Sequence, residues 1–533
     1  MKVKKKTSRI IKLIVMVMIM VILAGCTPDS NEQSSGNGDS KSKNTLVISS
    51  VREPDTIDVH KTTWVDNSTA NIYDTLLKRD LEGNIIPGLA EKYDISDDGK
   101  IWTLYLDGNV KFHSGEPLTA EAVKKSFERF LEYSAVKFLA GPVDKMEADG
   151  QKLMVYFTEP FAPFASGLTT AYLAPMDPMA LDEYGEDFGK KPSASGIFKF
   201  EERVRGSSIT YMKNEGYNWG PPFVDNKGAP GFDQYEFRFI TDDDTRVLEF
   251  KKGTTQIMTS VPPNYIKELE ATEGVEIDSM LEQGITYLGF NNKKPMFQDK
   301  RVRQAIALGI NRDPLVEFAL EGYAKPLFGP LPQSIPGYSE KVEGEAAQKY
   351  MQNVEKAKLL LEEAGWKDTN GDGIVEKDGK PFSFELWLSD EPVMQRIAQI
   401  LQGQLKEIGI VVNISVQEPA AITANTPKGL HDAILNMYGW SDPDILYMLF
   451  GKGSSLRMHY EPEELHNLLT KARQTMDTDE RMKIYEQAQQ FLVEESPWVP
   501  LFVRENVTAY RDINGFKQNP YSQSIIFNDI TSK

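Results

Sequence analysis

Five histidines, His60, His113, His431, His459 and His466, occur in 533 residues. None stands at a His-x-x-x-His or similar spacing, so a metal site built from protein imidazoles is not expected. The nearest thing to a cation motif is Asp368-Thr369-Asn370-Gly371-Asp372-Gly373. It opens as a calcium loop does, with oxygen ligands at positions one, three and five and glycine at six. Position twelve, where a bidentate glutamate closes the coordination sphere, is Gly379, and the strand-like run Phe382–Leu388 replaces a second helix. That pattern favours a hairpin turn before the strand, with calcium binding left as the lesser alternative. Asp242-Asp243-Asp244 reads as a solvated or helix-capping cluster. No Gly-x-Ser-x-Gly elbow, P-loop, Gly-x-Gly-x-x-Gly turn or His-Glu-x-x-His helix is present, so no catalytic residue, cofactor or enzymatic activity is expected. Cys26 is the one cysteine. It cannot enter an intrachain disulfide or a multi-cysteine metal site, which leaves modification as its evident use.

The segment before Cys26 gives that modification a context. Lys2, Lys4, Lys5, Lys6, Arg9 and Lys12 precede an uncharged, mostly apolar block, Leu13–Gly25, ending in Leu23-Ala24-Gly25-Cys26. A basic head, a short apolar middle and small residues describe an export signal. The block is shorter than the roughly 20 residues that a membrane span needs. The cysteine directly after Ala24-Gly25 resembles the bacterial lipoprotein box, which implies cleavage before Cys26 and diacylglyceryl attachment to its sulfur. Two acyl chains suffice for stable anchoring where one does not. Residues 26–44 contain no large apolar side chain after Cys26 and read as a flexible tether. The formal net charge is −18, and loss of the six leader cations takes it to −24. So acidic a body argues against nucleic acid and against electrostatic docking on anionic lipid.

From Thr45 onward the patterns are those of an α/β chain. Thr45–Ser50 reads as a buried strand. Tyr93–Ser96 and Ile101–Leu106 flank the turn signal Asp97-Asp98-Gly99-Lys100, and together predict a hairpin. Thr119 is placed as an N-cap, with Val123, Phe127, Phe130 and Leu131 at helical spacing behind it. Further on, helices are expected over Arg301–Ile310, Asp313–Glu321, Val354–Ala364 and Glu391–Ile408, the last two closing on Gly365 and Gly409. Strands are expected at Phe382–Leu388, Ile410–Val416 and Ala433–Asn436. Helices and strands alternating in this way predict a mixed sheet.

Several stretches carry a resemblance. They are Pro87-Gly88-Leu89-Ala90-Glu91-Lys92-Tyr93, Trp102-Thr103-Leu104-Tyr105-Leu106, Val110-Lys111-Phe112-His113-Ser114-Gly115-Glu116-Pro117-Leu118-Thr119-Ala120, Arg301-Val302-Arg303-Gln304-Ala305, Asn311-Arg312-Asp313, Gly439-Trp440 with Asp442-Pro443-Asp444, and Pro497-Trp498-Val499-Pro500-Leu501-Phe502. The chain from about Thr45 to its end resembles the peptide/nickel solute-binding lipoproteins of ATP-driven importers. The resemblance implies a two-lobed periplasmic-binding-protein-like fold with an extra inserted subdomain. Lobe I would comprise 45–80, 192–286 and 501–533, the insert 81–191, and lobe II 287–500. Strands near Ile285–Asn291 and Trp498–Val503 would form the hinge.

The same resemblance implies that the ligand lies in the inter-lobe cleft as an added strand. The implied contacts are Thr63, Trp64, Val65, Tyr287, Tyr438, Gly439, Trp440, Ser441 and Asp442. Trp64 and Trp440 would supply area, and Asp442 would capture a free amino terminus. An opposing reading has Asp442 cap the helix Ile445–Phe450. Two departures bear on the ligand: Gly439–Asp444 is short by the acidic residue that peptide binders place there, and Met437 and Tyr438 stand where some carry arginine. The expected function is solute capture at the outer membrane face by a lipid-anchored monomer, with delivery to ABC permease and ATPase subunits. An oligopeptide is the first ligand. An oligosaccharide, an opine-like conjugate or a nickel chelate stays open, as do a surface enzyme acting on peptides or glycans and a sensory peptide receptor.

Overall fold

Strand Ile101–Leu106 shows how local pattern becomes packing. Trp102, Leu104 and Leu106 are buried while the residues between them are not, so one face of a pleated strand meets a core. It pairs with Ala90–Ile95 on one side and Lys152–Phe157 on the other, and Val143–Asp149 completes a four-stranded antiparallel sheet. Gly99, at φ 70°, turns the first hairpin. Thr119 accepts a hydrogen bond from the Ala122 N–H and starts helix Ala120–Tyr133. This helix lays Val123, Phe127 and Phe130 on the sheet, where Trp102 and Phe164 meet edge to face at 5.4 Å.

The structure, a computed structural model, describes residues 44–533. The leader, Cys26 and the tether up to Lys43 lie outside the described residues. Among the described residues the largest sheet has twelve strands. One half is mixed: Thr45–Ser50 runs parallel to Gln234–Phe239 and Ile257–Met258, and Ser208–Lys213 and Phe198–Val204 follow antiparallel. Its core holds Leu46, Ile48, Phe198, Tyr211, Tyr235, Phe237 and Phe527. In the other half Ser383–Leu388 lies parallel to Val411–Val416 and to the start of Ala433–Gly439. Helices Lys300–Gly309, Val354–Glu363 and Pro392–Glu407 cover it around Leu288, Ile306, Leu361, Phe384 and Leu401. Gly365 and Gly409 end the last two helices at φ 88° and 82°, the left-handed closure anticipated from sequence.

The halves are joined by one strand. Trp498–Arg511 pairs through Trp498–Phe502 with Gly284–Phe290 and through Glu505–Arg511 with Val275–Leu281. Ala324–Pro326 pairs with the same strand as far as Arg504, so the chain passes between halves at Glu282-Gln283 and again at Arg504-Glu505. The segment Ile285–Asn291, anticipated as a crossing, lies instead in the second half: Gly284–Phe290 is fully buried and bonded there on both edges.

The remaining chemistry noted in the sequence is structural. Asp368 accepts from the Gly371 and Gly373 N–H groups at 2.7 and 2.9 Å, and Asp372 from the Ile374 N–H at 2.8 Å. The loop carboxylates thus hold a turn before the small hairpin Glu376–Lys377 and Lys380–Pro381. Asp242 caps helix Asp243–Lys251 and Asp243 pairs with Arg246. Asp58 and Arg129 form a buried two-pronged ion pair at 3.0 and 2.5 Å, with His60 Nδ1 3.0 Å from the same guanidinium. This pair ties helix Ala120–Tyr133 to the segment that follows the first strand.

Removing one partner of such a pair leaves a buried charge alone. Asp58→Ala should lower unfolding free energy by about 3–5 kcal/mol, with recovery in the Asp58→Ala/Arg129→Met double variant. Urea denaturation checks this; a loss under about 1 kcal/mol in the single variant contradicts it. Acid should also destabilise the fold. Burial holds His60 down to about 3, with the Arg129 charge adding to the effect, and holds His113 and His431 down to about 4. Between pH 6.5 and 4 the unfolded chain binds these protons and the folded one does not, so stability falls as pH falls. Each neutral histidine contributes a slope of up to about 1.4 kcal/mol per pH unit. Asp444, raised to about 6 by burial, opposes with one proton between about pH 4 and 6. Denaturation midpoints at pH 7 and 5 check the sign; equal or higher stability at pH 5 contradicts it.

Candidate functional site

Beside the two crossings lies a cavity of about 610 Å³. Trp64, Val65 and Tyr172 form one side, and Gly439, Trp440 and Ser441 the other. Glu282 and Gln283 come from the first crossing, Asn506 and Thr508 from the first-lobe part of strand Trp498–Arg511, and Gln518–Asn528 contributes a further wall from near the chain's end. Both poles of the fold, the crossings and the C-terminal segment thus converge on one space. A concave site of a few hundred Å³ with aromatic faces and few fixed polar groups suits a small organic ligand.

Five of the nine anticipated contact residues stand in this wall: Trp64, Val65, Gly439, Trp440 and Ser441. Trp64 is stacked under Arg52, 4.4 Å from guanidinium carbon to ring centre. Val65 makes no main-chain hydrogen bond among the described residues, whereas the Trp64 N–H and carbonyl both engage the Thr62 hydroxyl at 3.1 Å. Strand Ala433–Gly439 is bonded along one edge to Gly284–Phe290, but along the other only Ala433 and Ile434 are paired. Its remaining edge is open toward Met437 and Gly439, both cavity residues. Gly439 must lack a side chain, since a Cβ there would lie 2.9 Å from the Gln283 carbonyl oxygen. The Trp440 N–H donates to that same carbonyl at 2.9 Å. Its ring packs against two cores at once, that of the four-stranded sheet and that around Ile434 and Trp498. The indole Nε1–H is buried without an acceptor.

The other four fall elsewhere. Thr63 is exposed and outside the wall. Tyr287 is fully buried against Trp498, rings 4.8 Å apart. Tyr438 alternates to the face opposite Gly439 and lies under Arg457 at 4.9 Å. Asp442, anticipated to hold a ligand's amino terminus, is 2% exposed. Its Oδ1 accepts from Arg481 at 2.5 Å and from the Asp444 N–H at 2.9 Å; its Oδ2 accepts from Arg481 at 3.2 Å and from the Ser166 hydroxyl at 2.5 Å. Burial pushes this carboxyl up, but the Arg481 charge and hydrogen bonds hold it below the usual carboxylate range. No oxygen is left for a ligand amine. The capping alternative does not hold in its simple form either: Asp444 is the N-cap of helix Ile445–Phe450, the Asp442 side chain accepts only from the Asp444 N–H, and the Ile445 N–H bonds to the Asp442 carbonyl.

Asp442 instead bridges regions far apart in sequence. Ser166 belongs to the four-stranded-sheet region, and Arg79 donates both to the Ser166 hydroxyl at 2.9 Å and to the Ser441 carbonyl at 3.1 Å. Nearby, the Ala162 N–H donates to the Arg473 carbonyl at 2.7 Å. These contacts close one end of the cavity.

Most charges in the wall are therefore committed. Asp74 binds Lys78, Tyr217 and Trp219, and Asp66 caps the turn Asn67–Ala70. Arg52, Glu282 and Gln518 were not anticipated from sequence. Gln518 Oε1 is buried and has no donor. Nothing local in Lys517–Asn519 points to a site; the residue reaches the cavity only because the final segment folds back over the first lobe.

With this geometry in view, comparison with known proteins is informative. Residues 84–457 match the model of the bacterial extracellular solute-binding proteins, family 5. The oligopeptide-binding protein AppA of Bacillus subtilis is 29% identical, over 97% of this chain and 97% of its own. The structure of AppA in complex with a nonapeptide superposes with a TM-score of 0.77 at 27% identity, covering 92% of this chain and 99% of that one. The ABC transporter-associated periplasmic binding protein DppA from Helicobacter pylori, in complex with peptide STSA, gives 0.74 at 26% identity, covering 91% and 98%. No helix among the described residues is long and apolar enough to cross a membrane. The chain belongs to the bacterial extracellular solute-binding proteins of family 5, with their two-lobed α/β fold.

Proposed function

We propose that this protein captures an oligopeptide between its lobes, unaltered, and delivers it to the permease and ATPase subunits of an ABC importer. It works as a monomer, held at the outer membrane face by a diacylated Cys26. The observation that carries the reading is the half-open edge of strand Ala433–Gly439, which faces the cavity at Met437 and Gly439. An extended peptide bonds to such an edge through its main chain, leaving its side chains to roomy pockets. AppA and DppA, whose structures are complexes with peptides, support the same ligand class. The lobes are 45–80 with 192–282 and 505–533, and 283–504, with 81–191 inserted. They turn about the crossings at Glu282-Gln283 and Arg504-Glu505. Contacts made to both lobes exist only when they are shut, so the ligand favours the shut form by that difference in affinity.

Isothermal titration with tetra-alanine and a mixed tetrapeptide pool tests the ligand class. Micromolar or tighter binding is expected; no heat or thermal shift with any peptide, while sugars or nickel chelates give one, overturns it. Trp440→Ala should weaken peptide binding about tenfold or more, since an aromatic anchor in a desolvated pocket carries well over 1 kcal/mol. Unchanged affinity would remove Trp440 from the site. Ser166→Ala deletes a hydrogen bond to a buried carboxylate and should raise the apparent Kd several-fold by opening the cavity end. The check is titration alongside a denaturation curve. An unaltered Kd would mean that this bridge does not contribute to closure.

A further inference from the structure

Of the carboxylates in the cavity wall, one is uncommitted. Asp66 caps a turn, Asp74 is bound to Lys78, Tyr217, Trp219 and the Thr75 N–H, and Asp442, just behind the wall, is saturated by Arg481 and Ser166. Glu282 has no hydrogen bond or ion pair to its side chain among the described residues, although its carbonyl accepts from Ser334 at 2.7 Å and its N–H donates to Arg504 at 2.9 Å. It stands at the first crossing, where both lobes border the cavity. The one cation close to it is Arg504, and the two do not pair. The Arg504 guanidinium turns toward Met394 Sδ, 3.7 Å away, and its Nε lacks a partner. Burial pushes the Glu282 carboxyl up, Arg504 pulls it back, and the nearby Glu391 adds to the rise. A half-buried carboxylate without donors is costly unless a donor arrives.

We propose that Glu282 receives an ammonium group of the ligand, in place of Asp442, and so selects peptides carrying a positive charge at the point where they meet the hinge. The inference rests on the peptide reading above. An ammonium provides up to three N–H donors to a carboxylate and compensates its charge. Among the described residues the other cavity charge without a hydrogen bond is Arg52, stacked on Trp64 and of the opposite sign. Glu282 is thus the acceptor available to a cation. The ammonium is either the α-amino group or a lysine side chain, and three peptides separate these sources.

Tetra-alanine, N-acetyl-tetra-alanine and N-acetyl-Ala-Lys-Ala-Ala are titrated into the wild-type protein and into Glu282→Gln at fixed ionic strength. In the wild type at least one ammonium-bearing peptide should bind tenfold or more tightly than N-acetyl-tetra-alanine. In Glu282→Gln that ratio should fall to about twofold or less, chiefly through weaker binding of the charged peptide. A gain confined to tetra-alanine assigns the α-amine; one confined to the lysine peptide assigns a side-chain pocket. Either supports the proposal. A single change of charge on a body of strongly negative net charge leaves non-specific attraction of cations nearly constant, so that attraction cannot mimic the result. Glu282→Asp, which keeps the charge on a shorter arm, should lower the ratio part-way and serves if the glutamine variant folds poorly. A ratio unchanged in both variants overturns the proposal while leaving peptide capture intact. If none of the three peptides binds the wild type, the peptide reading falls and this proposal with it.

Discussion

Strand Trp498–Arg511 belongs to both halves of the fold at once. Its first half is bonded between Gly284–Phe290 and the short strand Ala324–Pro326, its second between Ile257–Met258 and Val275–Leu281. Val499, Leu501 and Phe502 are buried in one core and Trp498 in a second, around Ile434, while Val507 and Ala509 are buried in a third. Because one continuous backbone satisfies both sheets, the lobes stay joined along it: the pairing with Ala324–Pro326 runs to Arg504 and that with Val275–Leu281 starts at Glu505, so relative motion must be taken up at that junction and at Glu282-Gln283. Everything that distinguishes shut from open must then come from contacts away from that strand. Those contacts are the cavity walls and the bridge closing its end.

The bridge illustrates a division of labour among carboxylates. Asp442 lies within reach of the cavity in sequence but not in space. Arg481 neutralises it and Ser166 donates to it, so its role is to join regions across the cavity end. A buried, fully satisfied ion pair fixes geometry more than it adds stability. Glu282 is the reverse case, a carboxylate beside the hinge with no donor of its own. One acid therefore sets the shape of the closed cavity, and the other is left for the guest. The open strand edge at Met437 and Gly439 adds main-chain pairing, which is indifferent to side-chain identity.

Much of the architecture was legible because it is local. Alternation in Ile101–Leu106, the cap at Thr119 and the glycine closures at Gly365 and Gly409 each record a short-range constraint. So did the turn at Asp368–Gly373, where the missing twelfth ligand pointed to a hairpin. The wall residues Trp64, Gly439 and Trp440 were found through family motifs, and the structure brings them together. Tyr287 and Asp442 were carried over from the same motifs and point into cores, because period-two alternation and a partner 39 residues downstream decide where a side chain ends. Glu282, Arg52 and Gln518 left no trace in the sequence. Their convergence depends on long-range pairing of the crossing strand and on the return of the last segment over the first lobe. The crossing itself was displaced by a few residues, since pairing across two sheets is not encoded in either segment alone.

The central claim is that two bodies on one shared strand shut upon a peptide. Solution X-ray scattering of the protein, with and without a saturating peptide shown to bind by calorimetry, tests it most directly. The account predicts a smaller radius of gyration with peptide. Superimposable curves in the two conditions, at full occupancy of the peptide, would contradict it.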